Sequence, residues 1–154
     1  MKVEGRYTFA ASREKVWDSL QSPEMLGSCI PGCQELNETA NDTYEVRLKI
    51  GIGAVSGTYR GVVKLTDSVE PSSFTMTVEG NGRTGDMRGE GHLTLTALDE
   101  GTLLEVSGEA QVTGLFARVG QRLLGSAANT LMNQFFTCLK SRVETPPRQD
   151  TAQP

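Results

Sequence analysis

The chain has 154 residues, 37% hydrophobic and 22% charged, with a net charge of −4 and an isoelectric point near 5.1. That is the size of one domain able to bury about two-thirds of its unfolded surface, and the composition excludes a disordered chain. The acidic balance, with no basic run longer than a pair of residues, argues against nucleic-acid binding and weakens any purely electrostatic attraction to an anionic membrane.

The opening, MKVEGRYTF, alternates apolar and polar residues, whereas a secretory signal needs a continuous apolar stretch. No window approaches the ~18 uninterrupted apolar residues of a membrane-spanning helix. The three cysteines, Cys29, Cys33 and Cys138, are an odd number without a secretion signal. They read as free thiols in a reducing compartment, so a cytoplasmic location is expected.

Lys2 to Phe9 predicts a strand with Val3, Gly5, Tyr7 and Phe9 on its buried face. Ser12 is placed to cap a short helix over Arg13 to Leu20, with Val16, Trp17 and Leu20 inward. Ser22-Pro23-Glu24 announces a second helix ending near Gly27, and Pro31-Gly32 turns the chain out. From Gln34 to Thr113 the pattern is strand throughout, with alternating runs at Thr43–Ile50, Val55–Asp67, Ser72–Gly80, Gly85–Ala97 and Thr102–Val112. Consecutive alternating strands with short turns imply an antiparallel meander with one wet face.

A helical pattern then runs from about Leu115 to Arg142. Phe116, Val119, Leu123, Ala127, Leu131, Phe135 and Leu139 form its apolar stripe, and Gly120, Gly125, Ala127 and Ala128 keep its middle thin. A sheet with one apolar face and a long helix with one apolar stripe cover each other economically when the sheet curls around the helix. The expected architecture is therefore α+β: a curved antiparallel sheet of six to seven strands wrapped around a long C-terminal helix. Residues 1–143 form the ligand-binding domain and 144–154 a flexible polar tail.

The inward face carries the functional argument. It holds no Asp, Glu, His, Lys or Arg, and its titratable groups are Tyr7, Tyr44 and Tyr59. General acid–base catalysis needs a carboxylate, imidazole or amine within hydrogen-bond reach of the reacting atom, so no catalytic residue is assigned. The single histidine, His92, has outward parity. Many inward positions are glycine, including Gly57, Gly61, Gly80, Gly89, Gly91 and Gly108. Glycine lets strands bend, and it also leaves space that an apolar ligand could fill.

Gly80-Asn81-Gly82-Arg83-Thr84-Gly85 matches a dinucleotide fingerprint by letter, yet it joins two strands where the fingerprint must run from strand into helix. Cys29 and Cys33 lack the further ligands that zinc requires, so neither a metal nor another cofactor is expected.

Four ordered blocks carry a family resemblance: Ile30-Pro31-Gly32-Cys33, Gly51 to Gly61, the spaced glycines from Gly80 to Gly91, and Phe116 to Leu123 with Phe135-Phe136. Over about Met1 to Val143 the chain resembles the helix-grip fold of START-like proteins and, within it, the family of the carbon monoxide dehydrogenase G subunit. The resemblance implies a non-catalytic accessory protein of a molybdenum hydroxylase such as CO dehydrogenase. Its role would be membrane recruitment, handling of a quinone or lipid electron acceptor, or maturation of the partner enzyme. A peripheral contact with the inner face of the membrane belongs to that implied role. The alternative is a small START-like enzyme of cyclase or hydrolase type acting on a hydrophobic substrate.

The expected pocket lies between the final helix and the glycine-bearing strands. Its lining is Tyr59, Phe74, Met76, Met87, Gly89, Val112, Phe116, Val119, Leu123 and Ala127, with Met25, Ile30 and Pro31 at its mouth.

Overall fold

The computed structural model describes residues 1–83 and 85–144. The polar tail expected over 144–154 lies outside them except for Glu144. The chain begins with β1 (Lys2–Phe9), α1 (Arg13–Leu20) and α2 (Pro23–Cys29). The strands β2 (Cys33–Ala40), β3 (Thr43–Ile50), β4 (Gly57–Val69), β5 (Ser73–Gly82), β6 (Gly85–Leu98) and β7 (Gly101–Val112) follow. A single 3₁₀ turn at Gly53–Val55 interrupts the connection from β3 to β4. The chain closes with a short α3 (Phe116–Val119) and a long α4 (Gln121–Glu144).

The caps form as the sequence dictates: the Ser12 hydroxyl accepts from the Lys15 N–H, and the Ser22 hydroxyl accepts from the Met25 N–H. The strands make one seven-stranded sheet in the order β1-β7-β6-β5-β4-β3-β2, antiparallel throughout. It curves where inward glycines face each other across neighbouring strands, Gly61 opposite Gly80 and Gly91 opposite Gly108. On the convex face Arg6–Glu105, Arg47–Glu35 and Arg88–Glu79 form exposed ion pairs that add little to stability.

α4 lies on the concave side. The Tyr7 ring stacks on Phe136 at 4.3 Å between centroids, and Phe9 meets the same ring edge-on at 6.5 Å. The main core fills the end of the sheet nearest α1. There Trp17 meets Phe74 edge-on at 5.4 Å, and Val16, Leu20, Leu65, Leu93, Leu95, Leu104, Leu139 and Val143 are buried around them. Each such large side chain contributes about 1.5–3 kcal/mol, which makes this closed end the anchor of the fold.

Three expectations are corrected. The final helix is not continuous: Gly120, at φ 97°, separates α3 from α4. The break shifts the helical phase, so Leu124 is buried while Leu123 is 59% exposed, and Leu123 leaves the expected pocket lining. Second, Cys29 and Cys138 are joined by a disulfide, and Cys33 is the one free thiol among the described residues. α2 and α4 bring these two cysteines together across 109 residues of sequence, to a Cα separation of 5.4 Å. The argument for a reducing compartment, which rested on three unpaired thiols, loses its footing. Third, β4 starts at Gly57 and not at Val55, because the 3₁₀ turn takes up the preceding residues.

Candidate functional site

Along the strands the concave side divides into three zones. The closed end is filled as described, and Phe74 belongs to it: fully buried against Trp17, it is core rather than pocket lining. At the opposite end a cap is built from the 3₁₀ turn and α3, which pack against each other and against the start of α4. Tyr59 ties this cap together. Its ring stacks on Phe116 at 5.8 Å, and its hydroxyl donates to the Val55 carbonyl at 2.6 Å. Ile50, Phe116 and Leu124 are buried in the cap, and Val119 is partly buried.

Between cap and closed end, some glycines face open space. A methyl group placed at Gly91, pointing inward like Leu93 and Leu95, would meet no atom within 4 Å. Gly125 on α4 is equally free, and at Gly80 the nearest atom is the Arg60 carbonyl oxygen at 3.9 Å. The inward side chains around them, Val63, Met76, Val78, Met87, Val106, Ala110 and Val112, stay partly accessible although they point away from the convex surface. The same holds for Ala128 and Leu131 on α4. This stretch of the concave face is apolar and partly accessible.

Not every glycine leaves space. At Gly108 an added methyl would lie 2.6 Å from the Glu90 carbonyl oxygen and 3.0 Å from the Gly91 Cα, so this residue is fixed by the close approach of two backbones. At Gly82 the position is occupied by the Tyr59 ring, 2.5 Å away.

The expected site residues therefore sort by position. Met76, Met87, Gly89 and Val112 lie on the inward face of the sheet, with Ala127 buried on α4. Tyr59, Phe116 and Val119 belong to the cap. Met25 and Ile30 pack against the core from α2 and its end, while Pro31 precedes Gly32, whose carbonyl accepts from the Lys49 N–H at 2.9 Å, beside the cap end of β3. Sequence reasoning missed Leu124 as part of the cap and Ala128 and Leu131 as partly accessible α4 residues on the concave side, and it missed the role of Val55.

The chemistry of the inward face is mostly hydrocarbon. Of the three inward phenols, Tyr59 is engaged with Val55, and the Tyr7 hydroxyl donates to Asn133 Oδ1 at 2.7 Å. Burial pushes the Tyr7 phenol above its ordinary range. Burial does the same for Tyr44, reinforced by the charges of Glu38 and Asp42. Both are neutral at neutral pH and do not act as bases. His92 is exposed on the convex face, with Nδ1 3.3 Å from the Thr75 hydroxyl. Two open surface hollows lie outside the fold's interior, one around His92 and Glu109 and one along Thr130, Thr137 and Cys138. Among the described residues no group of His, Cys, Asp and Glu is placed to hold a metal ion, and no helix is long and apolar enough to cross a membrane.

Comparison with known proteins fits this arrangement. A conserved protein from Geobacillus kaustophilus is 35% identical, with 93% of this chain and 95% of that chain covered and a TM-score of 0.90. A START superfamily protein from Mycobacterium smegmatis shares the fold at 17% identity, with coverages of 93% and 97% and a TM-score of 0.73. The di-domain ARO/CYC StfQ of the steffimycin biosynthetic pathway shares it at 13% identity, 93% of this chain against 50% of that one, with a TM-score of 0.67. No curated protein matches the chain. The family model for the G subunit of carbon monoxide dehydrogenase (CoxG) matches residues 5–144. With a START-like sheet gripping its C-terminal helix, and with that model matched over nearly all its length, this chain belongs to the CoxG family of carbon monoxide dehydrogenase.

Proposed function

We propose that this chain is a non-catalytic accessory protein that holds a hydrophobic molecule, a quinone or a lipid, in the hollow beneath the cap. The observation that carries this reading is the unfilled stretch of concave face around Gly80, Gly91 and Gly125, bounded by apolar side chains and free of any acid–base group. An empty apolar space costs stability unless something occupies it. Family membership supplies the setting: service to a molybdenum hydroxylase such as CO dehydrogenase, in electron-acceptor handling, membrane recruitment or maturation. Leu115 and Leu123, 54% and 59% exposed beside the cap, are suited to a peripheral contact at the inner membrane face, where such a ligand would be exchanged.

The enzyme reading, a small START-like cyclase or hydrolase, requires a group aimed at developing charge. Of the inward phenols, Tyr7 and Tyr44 are neutral at neutral pH, and the Tyr59 hydroxyl is engaged with the Val55 carbonyl. Native mass spectrometry of the gently purified chain tests the proposal: a co-purified apolar molecule, lost on organic extraction, is expected. A chain that is ligand-free after every mild preparation, and that takes up no quinone or lipid when offered one, would overturn it.

A further inference from the structure

α4 is held to the rest of the molecule along two seams. On one side it lies against the edge strand β1. There the Tyr7 hydroxyl donates to Asn133 Oδ1, the Tyr7 ring stacks on Phe136, and the Ala10 N–H donates to Glu144 Oε2 at 2.7 Å. On the other side α2 packs on both α4 and β2, the opposite edge of the sheet. The elements thus close into a ring that runs from β1 across the sheet to β2, then through α2 to α4 and back to β1. The Cys29–Cys138 bridge is the covalent link between α2 and α4 in that ring.

α2 is the weakest member of the ring. It has seven residues, about half the length at which a helix becomes marginally stable alone. Its buried residues are Leu26 and Cys29. Near β2 lies Gly27, where an added Cβ would sit 3.7 Å from the Leu36 Cβ. A turn precedes α2 at Gln21 and another follows at Pro31–Gly32, where Gly32 has φ 72°. One covalent bond therefore carries a large part of its attachment.

The two bridged sulfurs differ in access. Cys29 is buried, whereas Cys138 is partly accessible and lines the open surface hollow along Thr130 and Thr137. A thiolate from solvent can reach Cys138 from that side. The free thiol of Cys33 lies 3.5 Å from the Glu35 carbonyl oxygen. Burial raises it above its ordinary range, so it stays protonated at neutral pH and is a poor attacking group.

We infer that the Cys29–Cys138 bridge is a redox-operated lock on ligand exchange. Oxidised, it keeps α2 seated between β2 and α4 with the hydrophobic ligand enclosed; reduced, it lets α2 open and the ligand pass. The inference rests on the ligand-site reading above and adds its regulation. The co-reactant is a dithiol. Its thiolate attacks Cys138 Sγ, the bridge breaks, and Cys29 leaves as a thiolate that takes up a proton. The second thiol of the reductant then resolves the mixed disulfide and releases Cys138 as a thiol. The bridge gains two electrons and two protons, and the dithiol, which supplies them, ends as a disulfide. Exchange in the reverse direction with a disulfide oxidant closes the lock again.

The test loads the full chain with the neutral dye N-phenyl-1-naphthylamine and follows its release by stopped flow, before and after treatment with dithiothreitol. Opening of α2 becomes easier by the stabilisation that a bridge supplies. Release should therefore speed up by at least about tenfold on reduction and return to the starting rate after reoxidation with diamide. Cys33→Ser should behave as the parent does, and Cys29→Ser/Cys138→Ser should release dye rapidly with or without reductant. Hydrogen exchange should quicken at α2 on reduction and stay unchanged in β5, β6 and β7, a pattern that uniform destabilisation does not give. Equal release rates from oxidised and reduced chains that both bind the dye overturn the lock and leave the ligand site standing. A reduced chain that unfolds as a whole by circular dichroism also overturns it, making the bridge a structural staple. If neither form binds the dye, the ligand-site reading falls and the inference falls with it.

Discussion

Filling the hollow from its floor separates space that is available from space that is not. Gly91 and Gly108 are cross-strand neighbours on the same concave face, yet their environments differ. An added Cβ at Gly91 meets nothing within 4 Å, and one at Gly108 meets backbone atoms at 2.6 and 3.0 Å. Gly91→Phe should therefore fold, its ring lying over Gly108 and inside the hollow. Loss of glycine's freedom in the unfolded chain adds about 0.4–1 kcal/mol of stability. The ring removes roughly 150 Å² of ligand contact, the lower end of what an aromatic side chain buries. At about 25 cal/mol per Å² that is about 4 kcal/mol, or roughly 500-fold in affinity. Gly108→Ala should instead force β6 and β7 apart at a cost of about 1–3 kcal/mol. In a domain of this size that lowers the melting temperature by about 3–10 °C. Calorimetry and titration with a neutral naphthylamine dye read both quantities. Destabilisation of Gly91→Phe by more than about 2 kcal/mol would mean that the space before Gly91 is filled. A stable Gly91→Phe that binds the dye like the parent would move the ligand site elsewhere.

Alkylation under native, non-reducing conditions should label one thiol per chain, Cys33, and three after reduction and unfolding; labelling of Cys138 without reductant would contradict the α2–α4 bridge. Cys29→Ala/Cys138→Ala should lose about 2–5 kcal/mol, the usual cost of removing a bridge that closes a long loop. Folded Tyr7 and Tyr44 hold their protons more tightly than the unfolded chain does, so their share of stability is full below the ordinary phenol value of about 10 and drains away as pH rises past it. Between pH 8 and 11 the melting temperature of Tyr7→Phe/Tyr44→Phe should therefore fall less than that of the parent, and parallel curves would refute this. His92→Ala, at an exposed convex position, should change stability by less than about 0.5 kcal/mol and leave ligand binding intact; a loss of binding would bring the convex face into the site.

The frame was legible because period-two and period-three-to-four patterns are local. β1, α1 and β3 occupy the residues that their alternation and caps indicate, and the inward phenols are Tyr7, Tyr44 and Tyr59 as parity requires. The α4 register was not legible, since Leu123 and Leu124 are adjacent leucines and either continues an apolar stripe. Only the backbone turn at Gly120 decides between them. The bridge from Cys29 to Cys138 depends on how α2 docks on α4, a long-range fact without a local signal. The hollow was half legible. Counting inward glycines exposed the possibility of space, but a glycine that opens a space and a glycine pinned by a neighbouring strand look the same in a sequence. Phe74 illustrates the converse, as its alternation suits lining and core equally and the proximity of Trp17 makes it core.

The concentration of packing at one end of the sheet has an evolutionary consequence. Proteins sit close to the stability threshold they need, and most substitutions in a dense interior cross it. Here the residues that secure folding, from Val16 and Trp17 to Leu104 and Leu139, are distinct from Val78, Met87, Ala110 and Ala128 on the open part of the concave side, while Val63, Met76 and Val106 touch both. Changes at Val78, Met87, Ala110 or Ala128 reshape the space without disturbing that anchor. On the proposed ligand-binding reading, descendants of this chain can diverge in what they carry through neutral drift at a handful of floor and ceiling positions, with the frame passing unchanged from one specificity to the next.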